Sequence, residues 1–175
     1  MHKAFELRIK NGTPLPLGMG QHEWLLAKLA AAPGTIHAEQ KLAMSSSFTP
    51  TAFFARDAWF RTVVDYTAIN GASATVVDYK SGRVTEDETQ LKLMAAMLFC
   101  HAGQLSKVKS ALVFVNQKTI IPAHFVREDL TEIWSEVLPR VKAVEKALAT
   151  QEFPPKPSGL CKRYCAVSSC PYHGR

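Results

Sequence analysis

Two aspartates and a lysine stand at the ends of apolar runs. Asp65 follows Val63-Val64, and Asp78 follows Val76-Val77 and precedes Tyr79-Lys80. The two runs flank Asn70-Gly71, a dipeptide suited to the tight turn of a hairpin. Antiparallel pairing brings the ends of both runs to one edge of a sheet. Two carboxylates side by side there repel each other and lose hydration, and a cation between them relieves both costs. Hard oxygen donors suit Mg²⁺ or Mn²⁺, ions that keep several waters and accept phosphate oxygens. Asp78 and Lys80 are two apart on a strand and share a face. The ammonium then stands beside the same ion, where it can orient an attacking water and offset charge on a phosphodiester transition state. The backbone carbonyl of Tyr79, between them, is a further oxygen donor.

The elements that must position these groups follow from periodicity. Residues 1 to 19 read as irregular, interrupted by Gly12, Pro14, Pro16 and Gly18. Trp24, Leu25, Leu29 and Ala32 recur at helical spacing, which predicts a helix over Gly20 to Ala32 ended by Pro33-Gly34. Thr35 to Met44 alternates as a strand, with Ile36, Ala38, Gln40 and Leu42 on one face, and Ser45 to Pro50 is a turn-rich connection. Trp59 to Ile69 and Ala74 to Lys80 form the hairpin. A helix over Glu88 to His101 puts Leu91, Met94, Ala95 and Leu98 on one side. Strands over Lys109 to Asn116 and Ile120 to Val126 precede a long helix over Glu128 to Thr150. That helix turns Leu130, Ile133, Trp134, Val137, Val141 and Leu148 inward, and Pro139 is expected to kink or split it. Trp24, Trp59 and Trp134 read as core. The order helix, strand, hairpin, helix, strand, helix describes an α/β fold with a mixed central sheet flanked by helices.

Taken in order along the chain, Gly18-x-x-x-His22, Asp65, Asp78-x-Lys80 and Gln90 resemble the motifs of the PD-(D/E)xK nuclease superfamily, specifically its RecB-like branch. The likeness covers about residues 15 to 150, and its specificity lies in order and spacing, since each motif is short. It implies a restriction-endonuclease-like core and a Mg²⁺- or Mn²⁺-dependent deoxyribonuclease. By the same resemblance His22 is a metal ligand, Asp65 and Asp78 are the metal-binding carboxylates, and Lys80 is the catalytic lysine. Gln90 matches the glutamine of a QxxxY motif near the DNA strand, although Met94 stands where the tyrosine would be. Glu39 lies on the strand where this branch often has a glutamate. It is taken with the catalytic set, beside the alternative that it is an exposed strand residue.

The C-terminal residues carry a second constellation. Cys161, Cys165, Cys170 and His173 form a compact set of soft donors after a stiff Phe153-Pro-Pro-Lys-Pro-Ser-Gly159 linker. Three thiolates and an imidazole suit Zn²⁺, and the triplet resembles the C-terminal cysteines that hold an iron–sulfur cluster in some RecB-like nucleases. No cysteine precedes the core, and Cys100 reads as part of a helix, so a complete cluster lacks its fourth thiolate. A reduced, metal-free tail is the alternative. The expected division is therefore a nuclease domain over 1–152 and a linker with a cysteine tail over 153–175.

Composition bounds the rest. Of 175 residues, 47% are hydrophobic and 21% charged, which argues against disorder over most of the chain. No run of 18 apolar residues exists to make a membrane helix. The N-terminus has no apolar core of an export signal, so a reducing cytoplasm of a bacterium or phage-infected cell is the expected compartment. The formal charge of +6 favours an anionic partner such as DNA. The functional expectation is a DNA nuclease, by resemblance an exonuclease of phage or bacterial recombination, repair or replication. Two alternatives stand beside it, a non-catalytic DNA-binding protein of the same fold and a zinc- or cluster-bearing interaction module. The sequence leaves a homo-oligomer or a recombination or replication partner open.

Overall fold

The computed structural model describes residues 1–175. A six-stranded sheet organises the chain, in the order β2-β1-β3-β4-β5-β6. The strands are β1 (Thr35–Met44), β2 (Pro50–Thr51), β3 (Phe60–Asn70), β4 (Ser73–Lys80), β5 (Lys107–Phe114) and β6 (Thr119–Val126). All neighbours pair antiparallel except β4 and β5, which run parallel. A parallel neighbour cannot be reached by a tight turn, and the connection is α3 (Glu88–His101). Gly71 and Ala72 make the β3–β4 turn, one residue beyond the dipeptide's first member, since Asn70 closes β3 opposite Ser73, and Gly71 takes φ 57.

The sheet is covered on both faces. On β4, Ala74 and Val76 pack into one core with Leu91, Met94, Ala95 and Leu98 of α3. Their neighbours Val77 and Tyr79 pack into the other with Phe5, Leu25 and Leu26. Those last three come from α1 (His2–Asn11) and α2 (Glu23–Ala30), the latter entered through a 3₁₀ turn over Gly20–His22. The architecture is a mixed α/β fold with helices on both faces of the sheet, as expected. Trp59 and Trp134 pack against the α3-side core, whereas Trp24 is 42% exposed and is not core.

Helix α1 was not anticipated. Gly12 ends it in the left-handed conformation, φ 67, returning N–H groups to the carbonyls of Arg8 and Leu7. Phe5 is its buried anchor, with Ile9 one turn on, and Glu6 is flanked at helical spacing by Lys3 and Lys10. The prolines that follow masked a pattern too short to stand out. A second departure is α4 (Leu130–Thr150), which continues through Pro139 without a break. Pro139 does not split it, because a proline removes one donor and the remaining turns keep theirs. Leu148 is 56% exposed and does not face inward.

By its contacts the chain divides into two units, Met1–Ser135 and Glu136–Arg175. The second contains the remainder of α4, the proline-rich stretch and α5 (Leu160–Arg163). Its last residues fold back locally, with the Gly174 N–H donating to the Cys161 carbonyl at 3.0 Å.

Arg127, in a 3₁₀ turn before α4, serves the first unit as a clamp. Its guanidinium donates to the carbonyls of Phe99, Ala102, Gly103 and Leu105 and lies over the Phe99 ring at 5.1 Å. It thereby satisfies acceptors that the C-terminal end of a helix leaves free.

Gly34 joins α2 to β1 at φ +98, and a Cβ there would lie 2.0 Å from the Ile69 carbonyl oxygen on the facing strand. Gly34→Ala is expected to cost about 2–4 kcal/mol of stability, since backbone must move on both sides. Gly103→Ala, with open space around its Cβ, should change stability by less than about 0.5 kcal/mol. Urea denaturation of both variants measures the contrast.

Candidate active site

The β3–β4 ladder runs from Asn70 opposite Ser73 to Tyr66 opposite Val77 and then stops. The next pair would be Asp65 and Asp78. Instead, Asp65 Oδ2 accepts the backbone N–H of Tyr79 at 2.7 Å. A side-chain carboxylate thus does what a β3 carbonyl would have done had the ladder continued. On its other side β3 pairs with β1, and there the ladder skips the Glu39–Asp65 pair. Glu39 has φ 50, rare for a residue with a side chain. Both strands change phase at this point. Leu42, Met44 and Val64 face the α3-side core, while Ile36, Tyr66 and Ala68 face the α1-side core. The expectation that Ile36 and Leu42 share a face is therefore corrected, because the left-handed residue at 39 reverses the alternation.

Two groups of side chains meet at this break. In the first, His2 Nδ1 lies 2.8 Å from Asp65 Oδ1. One ligand atom from each of His2, Glu39 and Asp65 falls within 4.8 Å of the others. In the second, Gln90 Nε2 donates to Asp78 Oδ1 at 2.8 Å, and Lys80 Nζ lies 2.7 Å from Asp78 Oδ2. The lysine thus pairs with the carboxylate oxygen that Gln90 leaves. Tyr79 joins the two groups through its backbone. Its ring packs edge-on to Phe5 at 5.0 Å and near His2 at 6.3 Å, and its buried hydroxyl has no partner.

The electrostatics favour a cation. Burial is the main force raising the Glu39 carboxyl above its usual range, and the charge of Asp65 adds to it. Burial likewise raises Asp78, opposed by Lys80 and reinforced by Asp65. The phenol of buried Tyr79 is pushed far above its ordinary value. Two carboxylates and an imidazole in reach of one point, with no lysine or arginine among them, fit a divalent ion with oxygen and nitrogen ligands.

Each residue singled out in the sequence can now be placed. Asp65 is buried at the fork, Glu39 is opposite it, and Asp78, Lys80 and Gln90 are in mutual contact beside it. His22 is buried, edge-on to Phe5 at 5.5 Å and with Nε2 3.3 Å from Gln21, outside the group formed by His2, Glu39 and Asp65. His2 was missed because its helix was missed. Glu23, beside His22, pairs with Arg8 of α1 and so ties α2 to that helix. In the second unit Cys161, Cys165 and Cys170 are half-buried free thiols, and with His173 they do not converge as the first group does.

The model of the PD-(D/E)XK nuclease superfamily matches residues 4–171. The chain belongs to that superfamily, and its mixed sheet flanked by helices is consistent with the superfamily's restriction-endonuclease-like fold. No curated protein sequence matches it. The matched region begins just after His2, so the family pattern does not account for that histidine. No helix is long and apolar enough to cross a membrane.

The raised carboxyl of Glu39 sets a sign for stability. A folded-state value above the unfolded one favours the neutral form, so this group's contribution is full below the ordinary carboxylate range and fades as pH rises through the raised value. Glu39→Gln is therefore expected to melt higher than the metal-free parent at neutral pH, with the gap closing on acidification. Added Mn²⁺ should raise the melting temperature of the parent and leave the variant nearly unchanged. Thermal melts across pH, with and without Mn²⁺, measure both effects.

Proposed function

We propose that this PD-(D/E)XK chain hydrolyses phosphodiester bonds of DNA with Mg²⁺ or Mn²⁺. The observation that carries the reading is the bond from Asp65 to the Tyr79 amide. It holds one carboxylate against the segment that carries Asp78 and Lys80. Asp65, Asp78 and Glu39 are the carboxylate ligands, and a histidine completes the set. His2 is the geometric candidate, and His22 is the one that family resemblance favours. The Tyr79 carbonyl remains a candidate backbone ligand. When bound, the divalent ion supplies Lewis-acid polarisation of the phosphate and a water of lowered pKa.

The chain's own groups do the rest. Lys80 sits against Asp78 and orients the attacking water while offsetting charge that develops on the phosphate oxygens. Gln90 fixes Oδ1 of Asp78, the oxygen away from Lys80, and stands at the start of α3, where it can meet the DNA strand. Asp87 caps that helix by accepting the Gln90 N–H at 3.0 Å, so the glutamine is held from both its backbone and its side chain. By the family resemblance, action at DNA ends in phage or bacterial recombination, repair or replication is the favoured mode. The tail cysteines and His173 are a secondary candidate for Zn²⁺, a role that needs the tail to close around the ion.

Digestion of circular and end-labelled linear DNA with Mg²⁺, Mn²⁺ or EDTA tests the reading. Cleavage confined to linear DNA and abolished by EDTA is expected. Asp65→Asn, Asp78→Asn and Lys80→Ala should each lower the rate by roughly 100-fold or more while the folded circular-dichroism signature persists. Binding without cleavage under every condition would overturn hydrolysis and leave a non-catalytic DNA-binding protein.

The two histidines are separable. His2→Ala is expected to raise the Mn²⁺ concentration for half-maximal activity by roughly tenfold or more, the scale on which metal-site neighbours act. His22→Ala should act chiefly on stability, through lost packing with Phe5. Titration of Mn²⁺ against activity, beside a melting curve, distinguishes the two.

A further inference from the structure

The connection between β2 and β3 carries an exposed aromatic pair that the catalytic reading does not use. Phe54 is 81% exposed and Phe53 is half-buried, and their rings meet edge to face at 5.0 Å. An apolar side chain held in water is unfavourable unless something covers it. Lys41 Nζ lies 5.7 Å from the Phe53 ring centroid and 5.5 Å from that of Phe54. The loop is braced: Arg61 donates to the Phe53 carbonyl at 2.6 Å and the Ala55 carbonyl at 3.2 Å, and Thr51 donates to Asp57 at 2.9 Å. The rings are therefore presented on a shaped loop.

Position and charge indicate the occupant. Lys41 pairs with Val63 and Ala43 with Arg61, so Lys41 and Arg61 lie on one face of the β1–β3 ladder. Lys41 is two residues from Glu39, and Arg61 is four from Asp65. Those separations are about 7 and 13 Å along the strands, a span of a few nucleotides of an extended strand. Arg56, on the loop itself, adds an exposed cation to Lys41 and Arg61, against one acid there, Asp57. Rings flanked by cations and leading to a phosphodiester site match an unpaired nucleic-acid strand, whose bases stack on aromatics while its phosphates meet lysine and arginine.

We infer that Phe53 and Phe54, with Lys41 and Arg61, form a base-stacking platform that holds a single-stranded segment of the substrate beside the site where it is cut. The inference rests on the proposed hydrolysis of nucleic acid and names the strand form that the site receives. Duplex bases are already stacked on one another, so the platform takes an unpaired strand or a frayed end.

The test is binding in EDTA, by fluorescence anisotropy, of an oligothymidylate and of an abasic phosphodiester strand of the same length. The intact chain should bind the strand with bases more tightly. Phe53→Ala/Phe54→Ala should weaken oligothymidylate binding by about 5- to 100-fold per stacked base lost and leave abasic binding nearly unchanged. Phe54→Tyr, which keeps a ring, should retain affinity. Lys41→Gln should weaken binding of both strands. If the double-alanine variant melts like the parent and binds oligothymidylate equally well, the platform is overturned, and the exposed rings serve a protein contact instead. That result together with cleavage of DNA in Mn²⁺ leaves hydrolysis standing. Base-dependent binding with no cleavage supports the platform and overturns hydrolysis.

Discussion

The hydrogen bond from the Tyr79 amide to Asp65 is the constraint on which the rest depends. A sheet that continued its ladder would satisfy its own backbone and leave no room for chemistry. Here β3 gives up regular pairing with both neighbours at one residue, and the carboxylate of that residue repairs part of the loss. An unpaired buried N–H costs about as much as a lost hydrogen bond. Asp65 is thus held by folding as well as by function, and its second oxygen remains for His2. Glu39, in a backbone conformation that side chains avoid, is the matching distortion on β1.

Charge is distributed unequally between the two groups, with Asp78 balanced by Lys80 while Asp65 and Glu39 share one histidine. Asp78 has a lysine and an amide, Asp65 has an imidazole and a backbone N–H, and Glu39 has burial and a like charge nearby. Formal negative charge therefore gathers where Glu39 and Asp65 meet, and the positive charge of Lys80 stands beside Asp78. A phosphate approaching alone would be repelled by the first and drawn by the second. A divalent cation resolves that conflict, which is why the residues fit one.

Much of this was legible in the sequence for identifiable reasons. The hairpin carries its own turn dipeptide, and both aspartates end apolar runs, so their placement needed only pairing rules. Helix α3 reads from its apolar period, and its structure begins and ends where that reading put it. What escaped was set by tertiary context. Helix α1 is short and followed by prolines, and it is held by Phe5 in a core that only the folded sheet creates. The phase change at Glu39 and Asp65 has no local signature, since alternation looks continuous in letters while a single left-handed residue reverses it in space. Exposure of Trp24 likewise follows from how α2 is rotated onto the sheet.

Helix α3 is tied at both ends. Gln90 fastens its first turn to Asp78, and Arg127 grips the carbonyls around its last turn and the loop beyond. Such a crossover resembles a beam bolted at each end, unable to slide lengthwise without tearing one set of bolts. Motion reaching Asp78 through this helix is therefore damped, whereas His2, in the first turn of α1, stands outside both sets of ties.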